Sequence, residues 1–408
     1  MTRHSSRRVP RILTIAAAVA AAVVVAGCGV GSGHSDDAGR TSETTVPIPS
    51  DATGPGAVLR AVEMPTIDRR IAKLAALTAR VTYLSTSGVD GSITEVTGSV
   101  FAPQGHAPDG GWPMIALAHG TTGIQQECAP SKDSQLLGSS LLVGEFLRRG
   151  YVVAVPDYQG LGAPGYHPYL DPTTAGYNVI DAVRAARQMI PDTSDRWLGF
   201  GYSQGGQASW AANELAREYG RGLNLVGTVA MSPLANLRAL ADAAATGTLT
   251  NDQVLVLQWV LATLEKSHPG LDLDEYRRGV VAQNWDVLLS CSGPTAETRA
   301  QIAGTVTADD LRPATPEALE RLRDLLEAMS LPKSVATASL LIGYGGTDSF
   351  MRPEWTARAI AEACDRGDTV AVIFDPAKGH GEIDMGPAIP WIEARFAGQP
   401  APNSCEQP

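Results

Sequence analysis

The sequence predicts an α/β fold with a mostly parallel central sheet flanked by helices. Short apolar runs typical of buried strands alternate with helix-like periodicity up to residue 232, and the alternation resumes after Val335. Between these two parts, residues 233–332 lose strand character and keep only helical patterns. We therefore expect residues 57–232 and 333–408 to form one core. Residues 233–332, the helical insert, are expected to cap it.

The predicted elements follow one another at short spacing, and turn signals at residues 89–92 join the first two strands. Thr315 is the expected N-cap of the last helix of the insert. Residues 254–262 are apolar on nearly every face, which favours a helix buried between insert and core over one that lines an acyl tunnel or faces lipid. Strands are predicted at 79–85, 93–102, 113–118, 151–156, 196–202, 225–232, 339–342 and 369–374. Helices are predicted at 135–149, 178–190, 204–219, 252–266, 316–329 and 354–366.

The most informative motif is the pentapeptide Gly-Tyr-Ser-Gln-Gly at residues 201–205. It fits G-x-S-x-G, the nucleophile elbow, in which a serine occupies a sharp turn between a strand and a helix. A strand is predicted immediately before Ser203 and a helix immediately after it. This context indicates that Ser203 is a nucleophile that forms an acyl intermediate, because a plain glycine-rich turn does not need flanking elements of this kind.

A serine nucleophile needs a base, and the chain has only seven histidines. His119 ends a predicted strand and opens the loop H-G-T-T-G, which in such folds supplies an oxyanion donor and not the base. His380 lies in a loop after the last predicted strand, where the base is expected. The remaining histidines lie in N-terminal segments or in loops beside proline or glycine: His4, His34, His106, His167 and His268.

The third member of a triad is an acid that orients the histidine, expected between the serine and the histidine in chain order. Asp348 lies in the loop after the strand predicted at 339–342, and it precedes His380 by 32 residues, enough for one helix and one strand. Asp375 is a rival because it precedes His380 by only five residues. Asp157 is a second rival, although it precedes Ser203 and breaks the expected order. We predict Asp348 as the acid.

These residues specify a chemistry of acyl transfer. Ser203 would attack an acyl carbonyl while His380 takes the serine proton, and Asp348 would hold the imidazole in the required tautomer. Two backbone N–H groups would bind the tetrahedral oxyanion, those of Gln204 and Thr121.

Residues 1–28 have the pattern of a bacterial lipoprotein signal peptide, with four arginines followed by a short apolar stretch. The stretch ends in Val-Ala-Gly-Cys, so Cys28 is the predicted site of lipidation, and a plain signal peptide is the alternative. Residues 29–56 are rich in Gly, Ser, Thr, Asp and Pro and are predicted to be a flexible tether. We expect an exported protein, anchored by lipid on the outer face of the cell membrane or secreted.

The net charge of −11 argues against nucleic acid as a partner and against electrostatic binding to anionic lipid.

Four cysteines follow Cys28, and an even number in an exported chain indicates two disulfides with three possible pairings. Their spacing matches no zinc pattern, so no metal is expected. These four are Cys128, Cys291, Cys364 and Cys405.

Several motifs together resemble the secretory lipase family of α/β-hydrolases, known from fungal A-type lipases and actinobacterial members. They are the strand-end H-G-T at residues 119–121, C-A-P-S at 128–131, P-D-Y-Q-G-L-G at 156–162, the elbow G-Y-S-Q-G-G and the late Asp and His. The resemblance covers most of residues 57–405. It implies an α/β-hydrolase fold and a lipase or carboxylesterase that acts on acylglycerols or similar esters without metal or organic cofactor.

The resemblance also implies Ser203, Asp348 and His380 as the triad, and the disulfides Cys128–Cys291 and Cys364–Cys405. The expected function is thus hydrolysis of lipid esters. The alternatives are a short-chain or polysaccharide acetyl esterase, a peptidase with the same triad, or an inactive surface lipoprotein that binds lipid.

Overall fold

The computed structural model describes residues 43–406. The predicted signal peptide, Cys28 and the first part of the tether lie outside the described residues. The second part of the tether differs from its prediction, because Val46 donates its N–H to Ala61 O and Glu63 donates its N–H to Thr44 O. Val46 and Ile48 also pack against the core, so apolar contacts and backbone hydrogen bonds hold this segment along the first strand.

Nine strands form one sheet in the order β1-β2-β3-β5-β4-β6-β7-β8-β9. The first three strands pair antiparallel, as does β3 with β5, and the pairs from β5 through β4 to β9 are all parallel. The predicted α/β-hydrolase fold is therefore confirmed. The strands are β1 Val58–Glu63, β2 Ala75–Thr86, β3 Ile93–Pro103, β4 Trp112–Ala118, β5 Val152–Pro156, β6 Thr193–Tyr202, β7 Asn224–Met231, β8 Leu340–Gly345 and β9 Val370–Asp375.

Helices cover both faces of the sheet, which explains why central strands such as β5 are apolar and buried along their whole length. None of the helices between residues 43 and 406 has the length and apolarity needed to cross a bilayer. The helices are α1 Arg69–Leu74, α2 Ser140–Arg148, α3 Pro172–Met189, α4 Gln204–Ala216, α5 Arg238–Thr246, α6 Asn251–Ser267, α7 Gly279–Gln283, α8 Trp285–Leu288, α9 Gly293–Ala303, α10 Pro316–Met329, α11 Pro353–Asp365 and α12 Ala388–Phe396.

Two helices begin several residues away from the start that the sequence predicts. α2 begins at Ser140 and not at residue 135, because Leu136, Leu137 and Gly138 have φ of 52°, 45° and 100°, which a helix excludes. α3 begins at Pro172, six residues early, because the Asp171 carboxylate accepts a hydrogen bond from Thr174 N at 2.7 Å. Asp followed by Pro is a helix start signal that the apolar periodicity alone does not contain.

The helical insert contains α5 to α10, and its buried side chains form a second hydrophobic core together with a few from outside it, such as Tyr169 and Trp355. α6 runs through this core with residues on every face buried, including Val254, Leu257 and Val260. This is the buried arrangement that the apolar run favoured. Thr315 caps α10, as predicted, by accepting a hydrogen bond from Ala318 N at 3.1 Å.

A buried carboxylate holds the segment that leads from the insert back to the sheet. Glu214 of α4 accepts hydrogen bonds from Lys333 N and Ser334 N, both at 3.0 Å. Burial nevertheless raises the pKa of Glu214 to about 7. The native state therefore binds this proton more tightly than the unfolded chain does, and the contribution of Glu214 to stability falls as the pH rises from about 4.5 to about 7.

Glu214→Gln removes this pH dependence, so we expect the difference in Tm, variant minus wild type, to increase as the pH is raised through that range. Thermal unfolding at a series of pH values measures it. Glu218→Gln, at an exposed position beyond the same helix, is the matched control for loss of one surface charge. A difference in Tm that stays constant with pH for Glu214→Gln would contradict the prediction.

Candidate active site

Ser203 lies between β6 and α4, in the strand–turn–helix context that the elbow motif requires. Its φ of 56° and ψ of −118° lie outside the conformations that non-glycine residues usually adopt. The turn is held by neighbouring strands, since Ser203 N donates to Met231 O of β7 at 2.8 Å. Backbone strain of this kind persists only where surrounding contacts fix it, and it presents the hydroxyl at the carboxyl edge of the sheet.

The two glycines of the motif are explained by close approach of the backbone. A Cβ at Gly201 would overlap the carbonyl of Gly205, and a Cβ at Gly205 would overlap the carbonyl of Ala118 in β4. The obstructing atoms belong to the backbone, so no side-chain rotation relieves the overlap. The strained turn and its packing against β4 therefore need glycine at both positions.

The structure brings Ser203, His380 and Asp348 together. Ser203 Oγ lies 2.9 Å from His380 Nε2, and His380 Nδ1 lies 2.8 Å from Asp348 Oδ2. A carboxylate only accepts hydrogen bonds, so Nδ1–H donates to Asp348 and the unprotonated Nε2 faces the serine hydroxyl. The Asp348 side chain is 1% exposed and that of His380 is 23% exposed, so the acid is buried and the imidazole borders the open side of the site.

Backbone contacts hold the loops that carry the acid and the histidine. Asp348 Oδ1 accepts hydrogen bonds from Phe350 N at 2.9 Å and Met351 N at 2.8 Å, which orients the carboxylate. Thr347 N donates to Lys378 O at 3.0 Å, so the loop after β8 is joined to the loop after β9. Tyr202 OH donates to His380 O at 2.8 Å, which connects the histidine loop to the elbow.

Neither rival acid contacts His380. Asp375 accepts a hydrogen bond from Ala377 N at 2.9 Å and so caps its own turn. Asp157 is fully buried and accepts from Ser131 N at 2.8 Å and from Thr97 Oγ1 at 2.6 Å. Burial raises the pKa of Asp157. Asp157 thus braces the loops behind the elbow and has no contact with the imidazole.

The structure places His119 away from the role of base, in agreement with its predicted place in the oxyanion loop. Its ring is buried against Tyr158, with ring centroids 4.4 Å apart. Nδ1 lies 2.6 Å from Gly120 O and Nε2 lies 3.2 Å from Asp157 O. Burial lowers the pKa of His119, which favours the neutral ring.

His167 is a site residue that the sequence did not reveal. It is buried, its Nδ1–H donates to Gln159 O at 2.9 Å, and its Nε2 accepts from Gln204 Nε2 at 3.1 Å. Burial lowers the pKa of His167 to about 3, so the ring stays neutral and can accept this bond. It thereby holds the side chain next to the nucleophile. Its loop position beside Pro168 contains no signal of this role, because the bond to Gln204 joins residues 37 positions apart in the chain.

The two predicted oxyanion donors lie in suitable elements. Gln204 is the first residue of α4, so its N–H is at the positive end of the helix dipole. Thr121 follows Gly120, and a Cβ built on Gly120 would lie 3.9 Å from Ser203 Cβ, so the loop after β4 is adjacent to the nucleophile. Thr121 Oγ1 is hydrogen-bonded to Tyr169 OH at 2.8 Å, which fixes its side chain. The role of both N–H groups stays a prediction.

Two disulfides join parts of the fold that are distant in the chain. Cys128 pairs with Cys291 and Cys364 pairs with Cys405, with Cα–Cα distances of 5.9 Å and 5.4 Å. The first bond links the region after the H-G-T loop to the helical insert, and Gly123 lies directly against it. Among residues 43–406, no group of three or more His, Cys, Asp or Glu side chains is arranged to bind a metal ion.

Comparison with known proteins adds a family and a fold. A model of the family described as secretory lipase matches residues 129–404. A probable inactive lipase of Mycobacterium tuberculosis is 30% identical over 236 residues, which are 53% of this chain and 49% of that protein. A secreted triacylglycerol lipase of Malassezia globosa is 30% identical over 192 residues, which are 43% of this chain and 39% of that protein. The matches thus span half or less of the length of these curated relatives.

Two solved structures share the fold at low sequence identity. The closed state of Candida antarctica lipase A has a TM-score of 0.70 at 19% identity, and the match covers 89% of this chain and 87% of that one. A ligand-bound rice cell wall degrading esterase of Xanthomonas oryzae has a TM-score of 0.66 at 20% identity, with 85% and 95% covered. At these identities the likeness establishes the architecture.

Proposed function

Because the chain belongs to the secretory lipase family, we propose that it is a serine hydrolase that cleaves carboxylic esters of lipids through an acyl-serine intermediate. One observation carries the proposal: the hydrogen-bonded chain from Ser203 Oγ to His380 at 2.9 Å and from His380 to Asp348 at 2.8 Å. A strained elbow, a base and an orienting acid in this order are the parts that acyl transfer requires.

In the proposed reaction, Ser203 Oγ attacks the ester carbonyl while its proton passes to His380 Nε2. The buried Asp348 carboxylate stabilises the imidazolium that forms and does not itself take up the proton. The oxyanion is held by the N–H groups of Gln204 and Thr121, and His380 then delivers its proton to the leaving alcohol. A water molecule activated by His380 releases the acid and restores Ser203.

The names of relatives and the apolar side chains near the site support a preference for lipid esters. Relatives with similar sequences are named as triacylglycerol lipases. In this chain, Phe350 lies against His380, and both Phe350 and Ile124 of the loop after β4 pack on the apolar core of the insert. Apolar side chains in the two loops that carry Asp348 and Thr121 suit an acyl chain better than a polar sugar.

A chain-length series tests the substrate class. We expect kcat/KM to increase from acetyl to medium or long acyl esters, because each methylene buried contributes about 0.8 kcal/mol of transfer free energy. Hydrolysis of p-nitrophenyl esters from acetyl to palmitoyl measures this, with labelling by a fluorophosphonate probe on the same purified protein. Activity confined to acetyl esters would instead favour a short-chain or polysaccharide esterase, as the fold shared with a cell wall degrading esterase suggests.

A second candidate is an inactive lipoprotein that binds lipid. The observation that favours it is the mycobacterial relative, which is named as a probable inactive lipase. Failure of wild-type protein to react with the probe would support this candidate and contradict the proposed enzyme.

We further propose that the protein is exported through residues 1–28 and anchored by a lipid at Cys28. Recovery of the probe-labelled protein in the medium, with none in the membrane fraction, would contradict the anchor.

A further inference from the structure

Phe350 touches two members of the proposed triad. Its N–H donates to Asp348 Oδ1 at 2.9 Å. Its ring stands edge-on to the imidazole of His380, with ring centroids 4.7 Å apart and an interplanar angle of 80°. The position of this one residue therefore affects both the acid and the base.

The carbonyl of Phe350 is bound by the helical insert. Gln253 of α6 donates from Nε2 to Phe350 O at 2.7 Å, and the same nitrogen lies 3.3 Å from Ser349 O. Gln253 is fully buried, so water does not replace these bonds when the side chain is changed. A path of hydrogen bonds thus leads from α6 to the backbone of Phe350, and from there to Asp348 and His380.

The other half of the Gln253 amide has a separate task. Gln253 Oε1 accepts from Thr250 N at 2.9 Å, and Gln253 N donates to Thr250 Oγ1 at 3.3 Å, which together form the capping box of α6. The capping box uses Oε1 and does not need Nε2. Helix capping therefore leaves the contact with Phe350 unexplained.

We propose that Gln253 is a positioning residue for the reaction: it fixes the Phe350 peptide and thereby aligns Asp348 and His380 with Ser203. This inference rests on the proposed serine-hydrolase function. It makes the alignment of the triad depend on the insert as well as on the sheet. A second contact supports the same attachment, since Arg352 Nη2 donates to Thr248 O at 3.0 Å.

Gln253→Met tests the proposal, because methionine keeps the length of the side chain and removes both polar atoms. We expect kcat for a soluble short-chain ester to fall about 10- to 100-fold, as misplacement of catalytic groups does, while KM stays within about twofold. Titration of reactive sites with a phosphonate should still give one Ser203 per chain. Thr250→Val, which breaks the capping box but leaves Nε2 and Phe350 O in place, is the matched control and should keep kcat near that of wild type.

Three results would overturn the inference: an unchanged kcat in Gln253→Met, a loss of activity that equals the loss of titratable sites, or an equal loss of kcat in Thr250→Val. A wild-type protein that does not react with the phosphonate would instead contradict the proposed function. The two failures are therefore distinguishable.

Gln253→Glu provides a second measurement if Gln253→Met does not fold. The ionised carboxylate cannot donate to Phe350 O, whereas the protonated carboxyl group can, and burial raises the pKa of a carboxyl group. The ratio of its kcat to that of wild type should therefore rise as the pH is lowered. A ratio near one at every pH would overturn the inference.

Discussion

Ser203→Ala is expected to lower kcat for ester hydrolysis by a factor on the order of a million and to abolish labelling by a fluorophosphonate probe. His380 Nε2 lies 2.9 Å from Ser203 Oγ in the wild-type protein. Removal of Oγ therefore leaves this base without a nucleophile to activate. The oxyanion donors and substrate binding would remain and account for the residual rate. Steady-state hydrolysis and probe labelling of the purified variant measure both effects.

Ser209→Ala is the matched control. Ser209 is also a buried serine of the elbow region, in α4, and its Oγ has no hydrogen-bond partner among the described residues. Its removal should leave turnover within a few-fold of wild type. Turnover that survives in Ser203→Ala but is lost in Ser209→Ala would place the nucleophile elsewhere.

Asp348→Asn should lower kcat about ten-thousandfold while the fold is kept. The asparagine oxygen can still accept the hydrogen bonds from Phe350 N and Met351 N, which turns its NH₂ group towards His380 Nδ1. Nδ1 must then accept a hydrogen bond, so the ring proton moves to Nε2 and faces Ser203. An imidazole in this tautomer cannot take the serine proton. The measurement is kcat/KM with a soluble ester, alongside the thermal midpoint to verify folding.

Asp375→Asn separates this role from that of the rival acid. Asp375 accepts a hydrogen bond from Ala377 N, which an asparagine oxygen also accepts, so its replacement should change kcat by no more than a few-fold. A large loss in Asp375→Asn together with a mild effect of Asp348→Asn would show that the assignment of the acid is wrong.

The candidate site was predictable from the sequence where its members are marked by local chemistry. The elbow is such a case. Ser203 has a φ of 56°, and other backbone atoms come so close to Gly201 and Gly205 that neither position has room for a side chain. The place of His380 and Asp348 follows from loops after successive parallel strands, whose carboxyl ends meet at one edge of the sheet.

His167 and Gln253 were not predictable in this way. Each acts through a contact with a residue more than thirty positions away, such as Gln204 or Phe350. Such contacts depend on how loops and the insert pack on the sheet, and no periodicity or motif in one segment records them. The same reason applies to the segment before β1, whose polar composition predicted a flexible tether although Val46 and Ile48 dock it on the core.

The sequence by itself determined the alternation of strands and helices around the sheet from β2 to β9, the elbow at Ser203 and the start of α10 after Thr315, because these depend on steric and hydrogen-bonding demands within a few residues. Only the tertiary structure decided which carboxylate meets His380. β8 and β9 pair in a register that sets Gly345 beside Asp375. Asp375 caps its own turn there, whereas the loop after β8 brings Asp348 to the imidazole. Partners this far apart in the chain are chosen by the register and packing of the sheet, which local composition does not encode.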